Sequence, residues 1–340
     1  MKLSDRINSF SSLGQALHDL SGDERSALID AAKNENSWFT EESLLLSLKG
    51  LEVLLEKNNL TIWANSYSPE PSSIKTVGVA MAGNIPAVGF HDLLCVLISG
   101  HRIKAKLSSQ DSVLMKFIIK KLITIGPEFS ASIAVEEQLK NTDAMIATGS
   151  DNTARYFEYY FRNIPNIIRK NRSSCAVIRG EEPAEEFTML GNDVFSYFGL
   201  GCRNVSKIYV PEDFDLVPLI DSWMPFQSLL HHHKYANNYT YQRSILLMNQ
   251  SPFLDSGFFI LQENEALVSP ISIIYYERYK SHEQVKEKLN SHREKLQVIT
   301  SAQGWFQDSL PFGKAQTPEV DDYADNVDTM AFLKTLTVDR

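Results

Sequence analysis

Ile74-Lys75-Thr76-Val77-Gly78-Val79-Ala80-Met81 is a short apolar run rich in β-branched residues, and Gly83-Asn84-Ile85-Pro86 breaks it almost at once. A run of this length, bounded by Gly and Pro, predicts a buried strand. Residues 87–98 follow with helical spacing and stop at Gly100. The alternation continues through a strand at 103–107, a helix at 112–125, strands at 132–135 and 144–147 and a helix at 151–161, closed by a strand at 175–178. Strands alternating with helices predict an open parallel sheet covered on both faces. Upstream, residues 1–66 are helical in pattern, with Leu44, Leu48, Leu51 and Leu55 on one face and Trp38 and Trp63 as anchors. Downstream, Arg179-Gly180-Glu181-Glu182-Pro183 marks a boundary. A second αβ pattern runs from there: helix 184–197, strand 207–210, helices between 214 and 248, strands 258–261 and 271–276, helix 282–289 and strand 296–300. The fold class is therefore α/β, with two open parallel-type αβα sandwich domains and a helical N-terminal segment.

The chain has 340 residues, more than one core usually serves, and a net charge of -9. That charge argues against nucleic acid, whose binding needs clustered Lys and Arg to displace counterions. Its three cysteines, Cys95, Cys175 and Cys202, show neither metal spacing nor a disulfide framework, as in a reduced cytoplasmic protein. Met1-Lys2-Leu3-Ser4-Asp5-Arg6 leads into no apolar stretch of signal type, and no segment approaches the length of an integral membrane span. A soluble cytoplasmic protein is expected.

Phe198-Gly199-Leu200-Gly201-Cys202-Arg203-Asn204-Val205 places a thiol behind two glycines and ahead of a short apolar strand. Glycines there let the backbone approach a substrate and expose the sulfur. Arg203 and Lys207 stand near enough in sequence to help hold a thiolate. Cys202 is thus the candidate nucleophile, against the alternative of a small buried hydrophobe.

Five segments in order resemble the aldehyde dehydrogenase superfamily. Gly83-Asn84-Ile85-Pro86 resembles its Asn-aromatic-Pro motif, with Ile85 in place of the aromatic residue. Lys106-Leu107-Ser108-Ser109 falls at its Lys-Pro-Ser-Glu cofactor loop, Thr148-Gly149-Ser150 at its Thr-Gly-Ser turn, and Gly199-Leu200-Gly201-Cys202 at its Gly-Gln-x-Cys nucleophile. Leu310-Pro311-Phe312-Gly313-Lys314 is a looser fifth match. Within the superfamily the chain is similar to the LuxC-type fatty acyl-CoA reductases, on the segments 151–161 and Ile168-Arg169-Lys170-Asn171-Arg172-Ser173-Ser174 and on 197–206. The luminous members of that family are longer.

The resemblance implies an aldehyde dehydrogenase-like fold divided into an N-terminal helical segment (1–66) packing on the cofactor domain, an NADP-binding domain (67–178), a catalytic thiol domain (179–316) and a C-terminal tail (317–340). It implies an NADPH-dependent reduction of a long-chain acyl-CoA, or another acyl thioester, to an aldehyde through a thioacyl-enzyme on Cys202. Asn84 and the Cys202 amide would stabilise the oxyanion. Aldehyde-oxidising relatives carry a glutamate in a Glu-Leu-Gly-Gly motif that activates water; aligning on Ser173 puts Ile168 there, and no Glu or Asp lies between Tyr159 and Gly180. Water would then deacylate slowly. In the cofactor loop the family's glutamate, which grips ribose hydroxyls, is Ser109 here, with Lys104 and Lys106 close by, which favours NADPH over NADH. Gly149 and Ser150 would bring helix N-terminal amides to the pyrophosphate.

The expected partner is acyl-CoA or an acyl-carrier-protein thioester, and assembly as a homo-oligomer stays open. Two alternatives remain: a CoA-acylating aldehyde dehydrogenase acting on short aldehydes, and an acyl-transfer protein that uses Cys202 without hydride transfer. No metal is expected, since the side chains of His231-His232-His233 point in different directions. The stretch Lys234-Tyr235-Ala236-Asn237-Asn238-Tyr239 either lines a substrate entrance or caps a helix with packed tyrosines. Tyr323, Val327 and Met330, at helical spacing in the tail, predict docking on this subunit or a neighbour rather than calcium binding.

Overall fold

The computed structural model describes residues 1–67 and 70–336, so the last four residues of the tail lie outside it. The chain divides into two compact units, Met1–Asn171 with the segment from Pro318, and Arg172–Thr317.

The first unit opens with four helices, α1 (Leu3–His18), α2 (Gly22–Glu35), α3 (Glu41–Leu54) and α4 (Lys57–Asn65). Ser21 caps α2, and a reciprocal Thr40–Ser43 capping box starts α3. Leu44, Leu48 and Leu51 then fall on one buried stripe of α3, joining Phe10, Leu13 and Leu17 of α1 in the core. The sheet follows with β1 (Thr76–Ala80), α5 (Phe90–Ile98), β2 (Arg102–Lys106), α6 (Ser112–Ile125), β3 (Ile133–Val135), β4 (Ala144–Thr148), α7 (Asp151–Phe161) and β5 (Asn166–Arg169). Its order is β3-β2-β1-β4-β5, all parallel. The chain winds outward from β1 through β2 and β3, then crosses to the other side of β1 for β4. That reversal makes the carboxyl ends of β1 and β4 a topological switch point, where open α/β sheets bind ligands.

The second unit contains β6 (Ser173–Val177), α8 (Ala184–Phe195), β7 (Val205–Pro211), α9 (Val217–Trp223), α10 (His233–Met248), β8 (Leu254–Asp255), β9 (Ile260–Glu263), β10 (Ile273–Tyr279), α11 (His282–Ser291), β11 (Leu296–Ser301) and β12 (Leu310–Pro311). The order is β12-β11-β6-β7-β10-β9-β8, parallel except for β8 against β9. One face is covered by an aromatic core in which Phe195 meets Trp223, Phe258 and Phe259 at centroid distances of 5.3, 5.6 and 5.4 Å. The chain ends in the first unit with α12 (Thr329–Thr335), whose Met330 and Leu333 are buried in that unit's core. Tail docking is therefore on the chain's own first unit. Left-handed Asp325 and Asn326 interrupt the helical spacing expected from Tyr323 onward.

One strand is placed differently from the expectation. The segment read as closing the first sheet is β6, and its neighbours are β7 and β11 of the second. The first sheet is closed instead by β5, paired with β4 from Met145↔Asn166 to Thr148↔Arg169. Flanking Pro165 and the polar run from Lys170 hide this four-residue strand, while the wholly apolar Cys175-Ala176-Val177 belongs in the middle of a sheet buried on both faces.

Candidate active site

Among the three cysteines only Cys202 is partly exposed; Cys95 on α5 and Cys175 on β6 are buried. Burial pushes both of those thiols up, Cys175 to about 12, so neither forms a thiolate readily. The turn that presents Cys202 begins where α8 ends. Tyr197, Phe198 and Gly199 are all left-handed, with φ of 51°, 58° and 76°. For Tyr and Phe this costs roughly 1–2 kcal/mol per residue. Packing offsets it: the Phe198 ring lies 4.4 Å from His232 and 5.9 Å from Tyr235.

Past this kink, the Asn204 N–H donates to the Gly201 carbonyl at 3.0 Å, closing a tight turn with Cys202 at its first corner. The Asn204 side-chain oxygen accepts from the Gly201 N–H at 2.8 Å. Its amide donates to the carbonyls of Asp193, Val194 and Ser196 at the end of α8. The Cys202 carbonyl accepts from Ser174 Oγ at 2.9 Å. Asp193, fully buried, accepts from the N–H groups of Gly313 and Ala315 at 2.7 and 2.9 Å, which ties the 310–314 segment to α8. Burial outweighs those bonds and the nearby Arg203 charge, raising its carboxyl to about 7. Arg203 Nε donates to the Ala315 carbonyl.

Lys207, expected near the thiolate, is fully buried within an ion pair. Its ammonium lies 2.7 Å from Glu277 Oε2, which also holds Lys288 through Oε1, and 2.6 Å from the Asn264 carbonyl. It sits in mid-strand opposite Cys175, past the start of β7 that follows the nucleophile turn. The histidines divide as their directions require, with His231 and His233 exposed and the His232 ring capping α10 through the Tyr235 N–H. No group of three His, Cys, Asp or Glu among the described residues is placed to hold a metal ion. Tyr235 is a buried cap-side residue, while Tyr239 donates to Asp255 at 2.6 Å.

In the first unit, the carboxyl edge of the sheet gathers most of the remaining candidates. Asn84 is exposed on the loop after β1. That loop is fastened by Asp111, whose Oδ2 accepts from the N–H of left-handed Ala87 at 2.8 Å, and by Ser47, which donates to the Pro86 carbonyl. Burial raises the Asp111 carboxyl to about 8. A side chain at Gly83 would meet Ser108 Oγ at 2.5 Å, so the loops after β1 and β2 touch there. Lys106 and Ser109, at and beyond the end of β2, are exposed on the same edge. Gly149 follows β4 directly, and Ser150 caps α7 by accepting from the Thr153 N–H at 3.3 Å. Lys104 is set apart from them: it lies in mid-strand and donates to the Lys140 carbonyl at 2.8 Å. Ile168 is half-buried near the end of β5. Its neighbour Arg169 is bound to Asp92 Oδ2 at 2.5 Å and to Thr329 Oγ1 at 2.9 Å.

Similarity to solved structures follows this architecture. An aldehyde dehydrogenase from Bacillus cereus in complex with NAD+ is similar over 90% of this chain and 72% of its own, with a TM-score of 0.62 and 13% identity. The fold is aldehyde dehydrogenase-like. An NAD-dependent benzaldehyde dehydrogenase from Corynebacterium glutamicum shares the fold with a TM-score of 0.65, 12% identity and coverage of 91% and 77%. So does an NADP-dependent glyceraldehyde-3-phosphate dehydrogenase from Bacillus halodurans complexed with NADP, at 0.63, 12%, 88% and 74%. No family model and no curated protein matches the sequence. In this aldehyde dehydrogenase-like fold, sequence reading singled out Cys202 and residues at the first sheet's edge as candidates but missed the residues that fasten their loops: Asn204, Ser174, Asp193 and Asp111. Asn and Asp beside glycine-rich turns are the available signal, because their side chains bond local backbone groups.

Proposed function

We propose that the protein reduces an acyl thioester, of the long-chain acyl-CoA or acyl-carrier type, to an aldehyde with NADPH. The observation that carries this reading is Ile168 on β5, where the resemblance places the water-activating carboxylate of aldehyde-oxidising enzymes. An alkyl side chain takes no proton, and the adjacent Arg169 is held in its ion pair with Asp92. A thioacyl group on Cys202 would therefore outlast hydrolysis. The donor set at the first sheet's edge suits NADPH: the first-turn amides of α7, the exposed Lys106 ammonium and the Ser109 hydroxyl, with the Asp111 carboxyl turned inward to Ala87. When bound, that cofactor supplies the hydride.

In this reading the Cys202 thiolate attacks the acyl carbon, the carbonyl oxygen takes the negative charge, and as the carbonyl re-forms the carbon–sulfur bond to the donor breaks and its sulfur leaves as a thiolate, which takes a proton from water. The Cys202 N–H stabilises the oxyanion, and the resemblance implies the Asn84 amide as the second donor. After reduction the thiolate of Cys202 is expelled as the aldehyde carbonyl re-forms. The test is stoichiometry: acyl-CoA should be consumed with equal amounts of NADPH oxidised, aldehyde trapped and free thiol released. NADPH oxidation without aldehyde, or thiol release that continues beyond one equivalent per enzyme without NADPH, would overturn it.

A further inference from the structure

We infer that Asn204 is the positioning residue that presets the Cys202 N–H as an oxyanion donor; this deepens the proposed function and rests on its assignment of Cys202 as the nucleophile. The Gly201–Cys202 peptide carries two groups that matter, the Gly201 carbonyl and the Cys202 N–H. In a trans peptide they point in opposite directions. The Asn204 N–H holds that carbonyl at 3.0 Å, so the Cys202 N–H is directed away from the turn. The preceding peptide is fixed as well, because the Gly201 N–H donates to Asn204 Oδ1 at 2.8 Å. The Asn204 side chain thus sets one peptide plane around Gly201 directly, and it sets the other by holding residue 204, whose own N–H makes the second bond, in place.

Asn204 is itself anchored. It is 2% exposed, and its amide reaches three carbonyls at the end of α8, at 3.1, 3.3 and 2.8 Å. Those bonds lock it to the helix that precedes the left-handed kink. On the far side of Cys202, Ser174 Oγ holds the next carbonyl and in turn accepts from the Val298 N–H at 3.2 Å. The turn is fixed at both ends before any substrate arrives, which is the condition for a donor to favour the transition state without reorganising.

Two reagents separate this role from simple upkeep of the thiol. Acetyl transfer from p-nitrophenyl acetate passes through an oxyanion, whereas alkylation by iodoacetamide does not. Both are read at Cys202 by peptide mass spectrometry. Asn204→Ala should slow acetyl transfer by about 10² to 10³ while leaving alkylation within about threefold of the wild type. Asn204→Asp, which keeps the acceptor for Gly201 but loses the amide that bonds the three carbonyls at the end of α8, should lower the acetyl-to-alkyl rate ratio as well, and it carries the test if the alanine variant does not fold. An unchanged ratio in Asn204→Ala or in Asn204→Asp, or no acetyl transfer to Cys202 in the wild type, would overturn the inference. A wild type that accepts acetyl in this Asn204-dependent way but ignores acyl-CoA with NADPH would overturn the functional reading alone.

Discussion

Cys202 differs from Cys95 and Cys175 in one physical respect, access to solvent, and the difference decides which thiol can react. Cys202→Ala should abolish both acylation and aldehyde formation while leaving thermal unfolding unchanged; acyl label on either buried cysteine would contradict the assignment. Asn84→Ala should lower turnover by about 10² to 10³ with little change in KM, since an oxyanion donor acts in the transition state. A change confined to KM would make it a binding residue instead. Ser109→Glu should shift preference from NADPH toward NADH in competition kinetics, because a carboxylate repels a 2′-phosphate. At this scale Cys202 was legible because glycines on either side of Leu200 advertise a tight backbone. Ser174 was not, because the fold, not sequence proximity, brings it to the Cys202 carbonyl, and Asn204 was signalled only by its place three residues after Gly201. Lys207 misled for the converse reason: it is close to Cys202 along the chain and committed to Glu277 in space.

In each unit a buried carboxyl ties loop backbone to its neighbours, Asp111 in the first and Asp193 in the second, and these give the protein a pH dependence. Burial raises Asp193 to about 7 and Asp111 to about 8. Each holds, in the folded chain, a proton that the unfolded chain releases at about 4. Their contribution to stability is complete below that value and is lost as pH rises through about 7 and about 8. The melting temperature should fall between about pH 5 and about pH 9, and Asp193→Asn should reduce that fall. A fall of equal size in the variant would show that Asp193 does not carry the effect. Helices and buried strands of this kind were readable from periodicity, as α6 and α7 illustrate with their expected limits. Strand partners were not, because β5 and β6 are separated by only three residues and no local pattern says which sheet each joins.

Across the molecule, the βα rhythm from residue 74 onward was enough to give open parallel-type αβα domains, the five motif segments carried the resemblance that implied an aldehyde dehydrogenase-like architecture, and the comparison with solved structures shows that fold at about one residue in eight identical. Local physical rules that demand a strand, a turn and a helix in order survive at an identity where little else does. The reductive chemistry is a different kind of claim, resting on the absence of a base from one strand end. It is tested most directly by intact-protein mass spectrometry after incubation with a long-chain acyl-CoA in the absence of NADPH. The account predicts a mass increase of one acyl group, located on Cys202, that persists over many minutes and is discharged as aldehyde when NADPH is added. Ile168→Glu should shorten its lifetime and release free fatty acid. No adduct on Cys202, or rapid release of fatty acid by the unmodified protein, would contradict the account.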